Sequence, residues 1–213
     1  MNPRRRSTGP SSVEALPWAP APREYFERDA LEVARDLVGA YLVAVDGETV
    51  RAVRVVETEA YRGPGDGACH ARVGLTRRTR TLLGPPGRAY VFLVYGMHDC
   101  FNVVCLAEGR GHAVLIRAGE AVMGIDAGIR TDGPGRLAKA LGITREHDGA
   151  DLTTEALFVS PRVAPVRIVR GPRVGVAYAG AVADRPWRFY DAASKDVSRP
   201  PAGAIGRGRR RRA

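Results

Sequence analysis

The stretch Val53-Arg54-Val55-Val56-Glu57-Thr58-Glu59-Ala60-Tyr61 constrains this chain more than any other. It is β-branched and aromatic enough to specify a strand, yet it carries two carboxylates near its end. Side chains alternate along a strand, so Glu57, Glu59 and Tyr61 share one face while Val56 and Ala60 take the other. Carboxylates on a half-buried strand cost free energy unless they are paired or used. Two readings stand at this point: a salt-bridged pair on an exposed strand end, or the wall of a pocket. A Gly63-Pro64-Gly65 turn then leads to Cys69 and His70, which places a thiol and an imidazole within reach of the same wall.

With 213 residues the chain can bury one substantial core. It lacks an apolar run of membrane-spanning length, and no apolar segment follows the basic start, so neither a membrane span nor a secretory signal is expected. Three cysteines at no zinc spacing predict reduced thiols in a cytoplasmic protein, with no metal and no cofactor. The net charge of +10 is concentrated in the termini: residues 1–10 hold three arginines and residues 207–213 hold five, leaving +2 for the rest. Residues 1–22 and 202–213 are expected to be disordered basic tails around a domain at 23–201. Inside that domain the charge is local. From Cys69 to His98 there are five arginines (Arg72, Arg77, Arg78, Arg80 and Arg88) and no acid, which suits a polyanionic partner. Only two lysines, Lys139 and Lys195, are present, so a lysine Schiff base is disfavoured.

Asp29, with Glu32 three residues on, predicts a helix start ending at Gly39. Residues 41–45 and 51–61 flank Asp46-Gly47, a hairpin signal. Residues 88–95 and 100–106 form a second pair turned through Gly96, Met97 and His98. Further strands are expected at 113–117, near Phe158, at 166–169 and at 174–178, and a helix at 136–141 between Pro134 and Gly142. Strand pairs outnumber βαβ units. The fold class is therefore α+β: one domain with a curved, mostly antiparallel sheet, flanking helices and a protruding β-hairpin. In that hairpin Tyr90, Phe92 and Val94 face one way, and Tyr95 stands at the last strand position before the turn. Tyr95 either folds back onto the core or projects with Met97 as a wedge between base steps.

The segments Glu57-Thr58-Glu59-Ala60-Tyr61, His70 and Ala89-Tyr90-Val91-Phe92-Leu93-Val94-Tyr95-Gly96-Met97-His98 together resemble the alkyladenine (3-methyladenine) DNA glycosylases of the mammalian type. The similarity continues through Leu115-Ile116-Arg117-Ala118, Gly133-Pro134-Gly135-Arg136-Leu137, Arg173-Val174-Gly175-Val176 and Arg185-Pro186-Trp187-Arg188-Phe189-Tyr190, covering residues 24–200. The resemblance implies an enzyme that bends double-stranded DNA, flips a damaged purine into a pocket and hydrolyses its N-glycosidic bond. It implies Glu59 as the carboxylate that activates water, with Arg117 and the Val174 carbonyl helping to hold that water. Tyr61, His70 and Phe92 would sandwich and hydrogen-bond the base, and Asn102 would disfavour guanine's exocyclic amine. Tyr95 would fill the vacated stack, with Met97 beside it and Arg72, Arg78 and Arg80 on the phosphates. Phe92 stands where many members have tyrosine, which keeps the stack and removes a phenol. Asp99 places a negative charge behind the hairpin, and residues 119–132 form a shorter segment than relatives carry.

The chemistry of purine loss fits these residue types. A cation-like sugar is stabilised by a carboxylate, and an electron-poor alkylated base is attracted to an aromatic face. Hydrolysis by a monomer, without a lyase step, is expected. Two competitors remain open on sequence. One is a nucleic-acid binder without catalysis. The other is a glycoside hydrolase using Glu57 and Glu59, whose Cα atoms lie roughly 6.6 Å apart on a strand, although such enzymes flank the scissile bond from two sides.

Overall fold

The computed structural model describes residues 17–198. Of the expected tails, residues 1–16 and all of 202–213 lie outside those residues. Within residues 17–22, assigned above to the N-terminal tail, two residues are packed: the Trp18 and Tyr41 ring centroids lie 5.1 Å apart, and buried Ala21 donates its N–H to the Val159 carbonyl at 2.8 Å.

One curved antiparallel sheet organises the domain. In chain order its strands are β1 (Tyr41–Asp46), β2 (Thr49–Arg62), β3 (Ala89–Val94), β4 (His98–Cys105), β5 (His112–Met123), β6 (Leu157–Ser160), β7 (Ile168–Gly171) and β8 (Arg188–Asp191). The order across the sheet is β3-β4-β5-β2-β1-β6, and β8 joins β2 to β7. β2 is the spine. Its first half pairs with β1, residues 57–59 pair with β8, and the opposite edge runs along β5.

Helix α1 (Ala30–Leu37) begins where expected, with the Asp29 carboxylate accepting the Leu31 N–H at 2.9 Å. It buries Ala30, Val33, Ala34 and Leu37 against β2 and β5. Helix α2 (Pro134–Leu141) packs on β4 and β5 and ends at Gly142, whose φ of 72° suits a residue without Cβ.

A bulge in β2 does what simple alternation does not. Register shifts fall between Val55 and Glu57 and between Glu57 and Thr58. Before them, odd-numbered Val53 and Val55 lie in the main core; after them, even-numbered Ala60 does. Thr58 also points that way, donating its hydroxyl to the Ala34 carbonyl at 2.8 Å. One extra residue reverses the parity. Glu57, Glu59 and Tyr61 are thereby turned away from the main core, and the salt-bridged pair at an exposed strand end is excluded because both carboxylates are fully buried.

Three element expectations need correction. Residues 174–178 are not a strand: they form a loop entering a 3-10 segment, Ala177–Val182. β8 was not anticipated, because Arg188–Asp191 owes its extended form to pairing with β2 and β7 rather than to its own periodicity. Tyr95 is not the last strand residue. β3 stops at Val94, and Tyr95 turns with φ 52°, followed by Gly96 at φ 71°. The side chain does not fold back; it is 89% exposed, and Met97 is 71% exposed. Among the described residues, no helix is long and apolar enough to cross a membrane.

Candidate active site

β3 separates two apolar clusters. Val91 faces the main core, whereas Tyr90 and Phe92 face a second one with Cys69, Ala71, Leu82, Val104, Ala113 and Tyr61. This second cluster floors a cavity of about 530 Å³, within the roughly 300–1,000 Å³ typical of small-molecule sites. Tyr61, His70, Phe92, Asn102, Arg117, Val174, Arg78 and Tyr95 all line it. Seven separated stretches of chain thus converge on one chamber.

Glu59 sits directly behind the wall. Its Oε2 accepts the Tyr61 hydroxyl at 2.9 Å and lies 3.4 Å from Arg117 Nη1, and its Oε1 accepts the Val174 N–H at 2.6 Å. The Val174 amide is thereby committed to Glu59. Burial and the adjacent carboxylate push the Tyr61 phenol well above its ordinary value, so it stays protonated and donates. A carboxylate has about four acceptor positions, so Glu59 keeps capacity for a water.

Glu57 is the structural partner. Its Oε1 accepts Arg117 Nε at 3.0 Å and Arg188 Nη1 at 3.3 Å, and its Oε2 accepts the Ser198 N–H at 2.6 Å. Arg117 bridges the two glutamates, and its Nη2 donates to Ser198 Oγ at 3.1 Å. Arg54, on the same strand, pairs instead with Glu120 and Asp191. Both glutamates are tied to the same arginine, whereas the paired carboxylates of a glycosidase stand on two sides of the scissile bond.

His70 opens a short 3-10 turn, His70–Val73. Its Nδ1 lies 3.0 Å from the Tyr90 hydroxyl, and its ring meets Phe92 edge-on at 4.5 Å. Burial, then the charges of Arg78 and Arg72, lower its pKa from 6.5 to about 4. The unfolded chain therefore binds the extra proton between these values, and stability falls as pH drops from 6.5 toward 4. His112 is lowered by burial too and adds to the slope. Urea unfolding of wild type and His70→Gln at pH 7 and 4.5 separates them: the variant loses less stability on acidification.

Asn102 commits its amide hydrogens to the carbonyls of Tyr90 and Cys100, at 3.0 and 3.3 Å, which fixes its orientation at the cavity wall. Burial pushes the Cys69 thiol up, which argues against a thiolate nucleophile. Arg72 and Arg80 are exposed on the loop outside the chamber, and Met97 projects at the hairpin tip. Asp99 is paired with Arg145 at 3.2 Å. At Gly135, near the start of α2, a Cβ would lie 2.8 Å from the His98 Cβ; close packing against β4 accounts for that glycine. Among the described residues, no three His, Cys, Asp or Glu side chains gather as a metal site.

Sequence reasoning missed the Asp66–Arg173 pair. Both side chains are fully buried, with Arg173 Nη1 and Nη2 on the two carboxylate oxygens at 2.5 and 2.8 Å. Arg173 also donates to the Ala60 carbonyl at 3.0 Å and stacks on Tyr61 and Trp187, 4.6 and 4.9 Å from their centroids. It holds the back of Tyr61 and immediately precedes Val174. The sequence signals were Asp66 in a Gly-rich turn and Arg173 at the head of a segment carrying the resemblance, with nothing to pair them. Tyr90 was also left out of the site, although its alternation with Phe92 had marked it.

This buried glutamate–arginine pair behind an aromatic chamber, on a curled sheet with an exposed tyrosine hairpin, has a family. A family model for methylpurine-DNA glycosylases matches residues 24–195. The chain belongs to that family, whose members are hydrolases of N-glycosyl bonds. It is 53% identical over 185 residues to a Myxococcus xanthus (strain DK1622) protein named "Putative 3-methyladenine DNA glycosylase", covering 85% of this chain and 95% of the relative. Proteins of the same name from Anaeromyxobacter sp. (strain Fw109-5) and Methanocella arvoryzae are 54% and 47% identical, over 89% and 86% of this chain and 98% of each relative.

Proposed function

We propose that this DNA glycosylase flips alkylated or deaminated purines out of duplex DNA into the cavity and hydrolyses the N-glycosidic bond, leaving an abasic site. The observation that carries the reading is the placement of Glu59. It is fully buried, bonded to Tyr61 and Val174 and close to Arg117, at the back of an aromatic chamber that Tyr95 also lines.

In this reading Glu59 orients a water and takes its proton as the C1′–N9 bond opens, and its charge stabilises the cation-like sugar. Arg117 and Val174 hold the carboxylate in place. Tyr61, Phe92 and His70 enclose the flipped base, and Asn102 screens its edge. Unstacking costs a few kcal/mol, least for a damaged base, and Tyr95 with Met97 offsets part of that by filling the gap. Arg72, Arg78 and Arg80 contact phosphates. Neither lysine lines the cavity, so base loss proceeds without a Schiff base or strand cleavage. One chain supplies the whole chamber, and a cytoplasmic monomer suffices.

The wedge is tested by Tyr95→Ala combined with Glu59→Gln, which blocks turnover. Stacking of a base on an aromatic side chain is worth ~1–3 kcal/mol, so affinity for a hypoxanthine-containing duplex should fall about tenfold or more by fluorescence anisotropy. Equal affinity with and without Tyr95 rules the wedge out.

A further inference from the structure

Two guanidiniums line the cavity, and they are held differently. Arg117 is locked between Glu57 and Glu59. Arg78 lies 5.2 Å from the Phe92 ring centroid, with Nη2 3.3 Å from His70 Nε2, and among the described residues it has no carboxylate partner. An arginine has only donors, so His70 Nε2 must accept; the neutral imidazole then carries its hydrogen on Nδ1 and directs it to the Tyr90 oxygen. The loop is clasped to keep Arg78 there. The Thr76 N–H donates to Thr79 Oγ1 at 2.8 Å, the Thr79 N–H donates back to Thr76 Oγ1 at 3.1 Å, and buried Thr79 donates its hydroxyl to the Gly74 carbonyl at 2.7 Å. A residue serving only to touch phosphates has no need to stand over an aromatic ring inside the chamber.

We infer that Arg78 sorts lesions by charge, favouring release of neutral purines over purines that carry a formal positive charge. The inference rests on the glycosylase reading above and specifies its substrate class. When a neutral purine such as hypoxanthine leaves, the C1′–N9 bond breaks with both electrons on the base. Water oxygen bonds to C1′, its proton goes to Glu59, and the departing purine anion later takes a proton from solvent. A guanidinium beside that base stabilises the developing negative charge. A ring-methylated purine such as 7-methylguanine is already cationic and leaves neutral. Arg78 has no developing charge to stabilise there, and it repels the base on entry. Both effects act in the same direction.

The test is single-turnover base release by the full-length chain at saturating enzyme, so that differences in DNA affinity drop out. Duplexes carry one hypoxanthine or one 7-methylguanine, and wild type is compared with Arg78→Gln and Arg78→Lys. Removing one donor from an enclosed anion site costs ~10²–10³ in rate. Arg78 is exposed, so the hypoxanthine to 7-methylguanine rate ratio should fall about tenfold in Arg78→Gln, with Arg78→Lys intermediate. An unchanged ratio in Arg78→Gln, with only the half-saturating concentration altered, reduces Arg78 to a phosphate contact and overturns the inference. Wild-type protein that releases neither base overturns the glycosylase reading itself, and the inference with it.

Discussion

Glu59→Gln should abolish base release, lowering the single-turnover rate by ~10³-fold or more, while duplex binding persists or tightens. Acid–base catalysis alone is worth about 10²–10⁴, and the substitution also removes the negative charge that faces the developing sugar cation. The amide is the same size, but it cannot take the water's proton. Nor can it accept on both sides as the carboxylate does, from the Tyr61 hydroxyl at one oxygen and the Val174 N–H at the other. Arg117 retains Glu57 as counter-ion at 3.0 Å, so the fold should survive. Affinity is expected to hold because a carboxylate gains nothing from nearby phosphates. The measurement is base release and anisotropy on the same preparation. A Glu59→Gln protein that still releases base at a wild-type rate removes Glu59 from the chemistry.

The largest expected effect on stability belongs to Asp66→Ala. The Asp66–Arg173 pair is fully buried, and deleting one member leaves an uncompensated guanidinium, which costs about 3–5 kcal/mol. Arg173 would keep its stacking on Tyr61 and Trp187 and its bond to the Ala60 carbonyl, but those groups carry no charge to balance it. Urea denaturation should therefore show a large drop in midpoint with little change in slope. Base release at a temperature where the variant remains folded should fall as well, because Arg173 backs Tyr61 and precedes the Val174 amide that holds Glu59. A loss under about 1 kcal/mol, the range of an exposed ion pair, contradicts the burial described here.

Local signals in the sequence located much of the framework. Asp46-Gly47 marks the first hairpin, Pro134 and Gly142 bracket α2, and the alternation of Tyr90, Val91 and Phe92 separates chamber from core. These features depend on neighbours within a few residues. The parts that were not legible depend on distant partners. The β2 bulge reverses which residues face the main core, and it follows from fitting one long strand against β1, β5 and β8 together. Tyr95 adopts a left-handed turn that its strand-like sequence does not announce. Asp66 and Arg173 are 107 residues apart, and Ser198 reaches Glu57 across 141. The resemblance named Glu59 and the aromatic residues, and the fold adds a contact that the sequence did not announce, the Val174 amide donating to Glu59. Nor did the sequence show that Arg78, unlike Arg72 and Arg80, also lines the chamber.

The most direct test of the account is to incubate the wild-type chain with duplex DNA holding one hypoxanthine, and in parallel one 3-methyladenine, and to identify the products. The account predicts free purine and a strand that stays intact until alkali or heat cleaves it at the abasic site. Tight binding of the duplex with no free base from either lesion would contradict it, and would make this chain a binder of damaged DNA rather than an enzyme acting on it.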